Sequence, residues 1–354
     1  MEPAGSKRVR AAAGAWPKGL LPVHDARRFP DGAVFGAPTG ASGVSNHRME
    51  ASDDPLGVIR QVAVVGLIAA AGLAVLARSR RGAPRHRGQP LPAAGIALAV
   101  AAMVAIDIVD DGAISAAHVL GLSAAAAGAL VAGWFRLPWW TRPLLVLPGA
   151  ALTVDAMQIT DRPGVIGPTV VASAVLAVLV GDTDRIHAGS AAGPPLLAVS
   201  IFGMFATIPE TGQILPVLVV AVPVALVGGP LRLARLGSAG AAATVVLLAA
   251  IVAAGGHFRP ASIVGGLASL GVLALEPLAR ALVASASPPP DDWRSPRLLL
   301  LAVVHVIVVA VVARVAGLRQ DLATAAVIVA LTGGLALAAL VALVRDVEHS
   351  GEHR

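Results

Sequence analysis

From Leu56 onward the chain alternates long apolar runs with short polar breaks. Eleven runs stand out, at 56–77, 91–109, 113–134, 143–158, 164–181, 190–208, 213–230, 240–256, 260–282, 297–317 and 322–344. Each is at or near the length of about 20 residues that an α-helix needs to cross a hydrocarbon core. Lipid offers a backbone no hydrogen-bond partners, so such runs satisfy their N–H and C=O groups by coiling into helices. The pattern predicts an all-α, polytopic transmembrane helix bundle of about 11 spans over residues 56–344, with short loops and a short cytoplasmic tail at 345–354. The fourth run is the weakest: Pro143 and Pro148 crowd its start and Asp155 interrupts its end, which suggests a broken or re-entrant helix.

Residues 1–55 break the pattern. They are polar, rich in Gly and Pro, mixed in charge and aperiodic, the signature of a disordered segment. The stretch Ala11-Ala12-Ala13-Gly14-Ala15-Trp16 is too short for the apolar core of a secretory signal. Met49 is expected to be the true start, since Met49 through Pro55 leads directly into the first span.

Composition agrees with a lipid solvent: 56% of residues are hydrophobic and mean hydropathy is +0.79. The 25 Arg against 2 Lys, with Ala, Val, Leu and Gly dominating, point to a GC-rich bacterial genome and the cell membrane. Without Cys, neither a disulfide nor a thiolate nucleophile or metal ligand exists. The formal charge of +6 would in a soluble chain raise nucleic-acid binding, but the arginines cluster between the apolar runs, where topology accounts for them and a nucleic-acid partner is not expected.

Arginine placement also orients the bundle. Arg78, Arg80, Arg81, Arg85 and Arg87 crowd the first loop and should keep it cytoplasmic, giving an N-out, C-in topology. Alternation then places Arg136, Arg142, Arg185, Arg232, Arg235, Arg280, Arg294, Arg297 and Arg345 inside. Trp134, Trp139, Trp140 and Trp293 fall in or beside the same inner loops, as interface anchors would. A match of Gly164-Val165-Ile166-Gly167-Pro168 to Gly212-Gln213-Ile214-Leu215-Pro216 hints at parallel internal repeats.

Candidate chemistry gathers at the outer turns. Asp107, Asp110 and Asp111 close the second run at helical offsets of three and four, and acids at membrane depth mark functional sites by default. Asp107 is the acid expected inside the hydrocarbon margin, whereas Asp110 and Asp111, followed by Gly112, also suit a turn. His118 lies across that hairpin, within conceivable relay distance of Asp107; more commonly such a His bonds a neighbouring helix, as expected also for His305. Glu210, His257 and Arg259 occupy other outer turns, where helix N-termini and Arg favour anions and Glu210 opposes a purely anionic ligand. Glu276 and Arg280, four apart, are expected to form a local pair without chemistry.

The chain contains no G-x-x-x-x-G-K-[ST], H-E-x-x-H or G-x-S-x-G motif, which removes an ATP motor and the commonest zinc-protease and serine-hydrolase designs. No metal or cofactor is called for. The leading expectation is a transporter or permease, not an enzyme, that moves an unknown small molecule through an acidic outer-face site. A second expectation starts from Asp110-Asp111, which resembles the acidic pair of polyprenyl-phosphate-dependent glycosyltransferases and so implies a membrane-embedded transferase on a lipid-linked substrate. In that family the pair follows the first span in a long loop; here it follows the second, in a turn of a few residues. The third is a non-catalytic subunit supporting partner membrane subunits.

Overall fold

A computed structural model describes residues 55–81, 90–157, 163–189, 191–208, 213–255, 260–283, 294–317 and 322–351. Expectations for residues 1–54, including disorder and the Met49 start, lie outside these, as do Glu210, His257 and Arg259. The described residues form twelve α-helices and no strand: α1 (Pro55–Arg81), α2 (Ala94–Val109), α3 (Ala116–Trp134), α4 (Arg142–Ala156), α5 (Pro163–Ile186), α6 (Gly193–Thr207), α7 (Ile214–Gly228), α8 (Ser238–Gly255), α9 (Pro260–Ala268), α10 (Gly271–Val283), α11 (Arg294–Gly317) and α12 (Leu322–Gly351).

Six helices, α1, α3, α5, α8, α11 and α12, are long and apolar enough to cross a membrane. The protein is therefore a multi-pass membrane helix bundle in its architecture. Eleven apolar runs became twelve helices because the ninth breaks: its halves, α9 and α10, meet at 60°. Helices α2, α6 and α7 are apolar but have only 15 or 16 residues, about 24 Å at 1.5 Å per residue, short of a hydrocarbon core of about 30 Å. The fourth run, expected to be broken, is a single 15-residue helix that carries Pro148 inside it.

At the centre stands α8. Its sequence, SAGAAATVVLLAAIVAAG, is apolar on every side, so it has no polar face to give to water. Every residue from Ala239 to Ala253 is buried accordingly. In lipid the hydrophobic effect does not draw helices together, and close backbone packing between small residues takes its place. The start of α2 shows this: a Cβ on Gly95 would lie 2.5 Å from the Gly240 carbonyl carbon, and Thr244 Oγ1 donates to the Gly95 carbonyl at 2.8 Å.

The connections before α2 and α8 are joined as well. Leu91 and Ala234 form an isolated parallel bridge, with Leu91 N donating to Leu233 O and Arg235 N to Leu91 O. Gly237 ends this pairing at φ +73, and a Cβ there would lie 2.6 Å from the Pro92 carbonyl oxygen, so both conformation and space require glycine. Helices α9 to α12 pack on one another and meet the rest chiefly through α5, α6 and α8.

Candidate functional site

The expected acidic site sits at the α2–α3 turn. Asp107, Asp110 and Asp111 are all exposed on the protein surface. The Asp107 side chain lies outside the helix packing, and its Oδ1 accepts a long bond, 3.4 Å, from Ile114 N across the turn. Asp110 caps α2, Gly112 turns the chain at φ +77, and Asp110 Oδ2 accepts from Gln213 Nε2 at 3.4 Å. The structure thus brings the acidic turn beside the start of α7. His118 is buried but bonds Ser115, not Asp107: Ser115 N donates to His118 Nδ1 at 3.1 Å in a capping box, and Nε2 has no partner among the described residues.

The densest polar network lies elsewhere, where α5 ends. Residues 182–187 read Asp-Thr-Asp-Arg-Ile-His, and a helical turn of 3.6 residues deals them to different neighbours. Asp182 Oδ1 meets the Arg142 guanidinium at the start of α4 at 2.7 Å and that of Arg185 at 3.7 Å. Asp184, 1% exposed, serves the connection into α8: Leu236 N and Gly237 N donate to its two oxygens at 2.9 and 2.8 Å, and Arg235 Nη1 lies 3.3 Å away. Gly193 leaves the room this carboxylate needs, since a Cβ there would fall 2.5 Å from Asp184 Oδ1.

Thr183 and His187, four apart, share a face, and both turn to α10. Thr183 Oγ1 donates to the Leu273 carbonyl, and His187 Nε2 lies 2.7 and 2.8 Å from the two oxygens of Glu276. Arg280 completes the triad, its Nε and Nη2 donating to Glu276 Oε1 at 3.3 and 3.2 Å. The expected Glu276–Arg280 pair is therefore present, with a third member 89 residues away in sequence. Glu276 is 3% exposed.

This triad sits just beyond the break in the ninth run. A bend of 60° frees carbonyls from the helical ladder, and buried carbonyls need other donors. The Ala268 carbonyl, at the break, lies 2.9 Å from His305 Nε2 on α11; the Leu273 carbonyl, inside α10, lacks its helical donor because residue 277 is proline, and receives Thr183 instead. Gly271 admits the imidazole: a Cβ there would lie 2.5 Å from His305 Nε2. His305 thus bonds a neighbouring helix as its isolation in the sequence implied.

Beside the triad opens a recess of about 260 Å³, counted out to the space at its mouth. Its interior has room for about one water molecule. His187, Glu276 and Arg280 form one wall; Leu298 of α11 and Leu340, Leu343 and Val344 of α12 form the other. Among the described residues no three His, Asp or Glu side chains gather as metal ligands.

Fold and network together define the class, a multi-pass membrane helix bundle with buried ion pairs at one end and an acidic turn at the other. The chain matches no protein-family model, no curated protein and no solved structure.

Proposed function

We propose that the protein is a proton-coupled permease of the cell membrane whose coupling group is Glu276. One observation carries this reading: a carboxylate 3% exposed, on a helix bent by 60°, held by His187 and Arg280 and opening onto a water-sized recess. Ionisable groups inside a membrane bundle mark ion and proton paths by default, and discontinuous helices carry the binding sites of many secondary transporters. Protonation of Glu276 removes the charge that holds Arg280 and converts the His187 contact from charged to neutral. The groups facing Glu276 are His187 from the end of α5 and Arg280 from its own helix, while the recess wall from α11 and α12 is apolar. In this reading the network end, which bears Arg142, Arg185, Arg235 and Arg280, faces the cytoplasm, and the α2–α3 turn with Asp107, Asp110 and Asp111 faces outward.

The test is flux in proteoliposomes. Wild type should acidify the lumen under an imposed potential, read by an entrapped pH dye, or take up members of a panel of small cations, anions and neutral solutes in a protonophore-sensitive way. Glu276→Gln should abolish coupling, and Asp107→Asn should weaken uptake without abolishing proton movement. Equal, pH-independent flux in wild type and Glu276→Gln ends the proposal. The second reading draws on Asp110 and Asp111, exposed together at the α2–α3 turn. It predicts sugar transfer from a polyprenyl-phosphate donor that is lost in Asp110→Asn/Asp111→Asn. A supporting subunit would show neither activity alone.

A further inference from the structure

The α3–α4 connection carries four large aromatic side chains in the open: Trp134, Phe135, Trp139 and Trp140 are 85%, 68%, 67% and 63% exposed. They surround a helix end of defined geometry. Leu137 N donates to Ala132 O at 3.1 Å and Arg136 N to Gly133 O at 3.3 Å, the paired bonds of a Schellman C-cap. The residue such a cap places in the left-handed region is usually glycine; here it is Arg136, at φ +50. Arg232, exposed in the α7–α8 connection, adopts φ +46 in the same manner. An arginine where glycine is least strained costs folding energy and places a guanidinium at the exposed helix end.

A second cation adjoins it. A Cβ on Gly133 would lie 3.5 Å from Arg185 Nη2, so that guanidinium rests against the last turn of α3, with its side chain half exposed. Arg142 is fixed by the Leu137 carbonyl at 2.9 Å and by Asp182. Three guanidinium groups thus answer one carboxylate, leaving a net charge of two positives at a connection that carries four exposed aromatics. Tryptophan settles at the headgroup level of a bilayer, and guanidinium is the side chain suited to bidentate phosphate contact.

We infer that the α3–α4 connection is a binding site for the phosphate of an anionic phospholipid, with Arg136 and Arg185 as its ligands and Trp134, Phe135, Trp139 and Trp140 seating the connection at the headgroups. The inference is independent of what the bundle transports.

The experiment is native mass spectrometry of the full-length protein in detergent with added phosphatidylglycerol or phosphatidylcholine. Wild type should retain phosphatidylglycerol selectively, and millimolar inorganic phosphate should not displace it. Arg136→Gly keeps the left-handed cap and should melt no lower than wild type, yet lose about fivefold in phosphatidylglycerol retention, the effect of one cation near the surface. Arg136→Gly/Arg185→Gln should lose more. Equal retention of the two lipids by wild type, retention by Arg136→Gly equal to wild type, or displacement by free phosphate would each overturn the assignment.

Discussion

Asp184 is the position at which loss of one carboxylate should be felt most directly. Truncation by Asp184→Ala leaves the N–H groups of Leu236 and Gly237, now bonded at 2.9 and 2.8 Å, without an acceptor. A buried unsatisfied donor costs about 1–3 kcal/mol, so the pair sums to about 2–6 kcal/mol on the same scale. Arg235, a quarter exposed, regains water and adds no more than about 1 kcal/mol. Gly193→Ala supplies the complementary probe, because its Cβ would fall 2.5 Å from Asp184 Oδ1 and 3.1 Å from Leu236 Cγ. Overpacking of this kind costs about 1–3 kcal/mol. With the carboxylate removed most of the clash disappears, so the double variant should show a coupling above about 1 kcal/mol, outside the ~0.5 kcal/mol within which independent sites add. Reversible unfolding in mixed micelles, titrated with dodecyl sulfate and followed by helical circular dichroism, measures all four corners of the cycle. Asp184→Ala within about 1 kcal/mol of wild type, or strict additivity, would refute the claim that this carboxylate anchors α8.

Two further outcomes follow from the packing. Glu276→Leu alone strands Arg280 and His187 and should destabilise by about 3–5 kcal/mol, whereas His187→Leu/Glu276→Leu/Arg280→Met should recover more than half of that in the same titration, since removing a whole buried ionic cluster is far cheaper than breaking it. Gly95→Leu, which puts a side chain into the Gly240 backbone, should cost at least about 3 kcal/mol, and a variant that melts with wild type would show that α2 and α8 do not approach as closely as described.

Hydropathy alone placed most helices, because a membrane helix is defined by what it lacks. The ninth run shows where that stops: Gly265, Gly266, Ser269 and Gly271 are small and hardly polar, so the break between α9 and α10 leaves no dip in an apolar profile. The donor that seals it, His305, lies on another helix. Residues 182–187 hide for a related reason. Polar residues after an apolar run look like a loop, yet α5 continues through Asp184 to Ile186, and Asp184 and, just past its end, His187 are buried. The i,i+4 spacing revealed Glu276 with Arg280, but nothing local in sequence points from Glu276 to His187. At Asp107 helical spacing fixes a face, and only packing decides whether that face meets a neighbouring helix; here it does not.

The network's position bears on the permease reading more than its composition does. Helices α9 to α12 meet the others chiefly along α5, α6 and α8, and side-chain hydrogen bonds cross that boundary from the end of α5, among them Thr183 to Leu273 and His187 to Glu276. Farther along the boundary, small residues fit between larger ones: Gly203 lies under Val306, and Gly265 faces Thr207. Small-residue contacts hold helices close without fixing their register by directional bonds, whereas the two crossing bonds are directional and stand four residues apart on one helix end. Transporters commonly work by one bundle rocking against another about a fixed site. A boundary pinned at one end by a protonatable pair, with smooth packing beyond it, gives proton binding at Glu276 a direct mechanical consequence. Protonation alters the His187–Glu276 bond and leaves Thr183 on the Leu273 carbonyl, which is why Glu276→Gln is the substitution on which the coupling proposal depends.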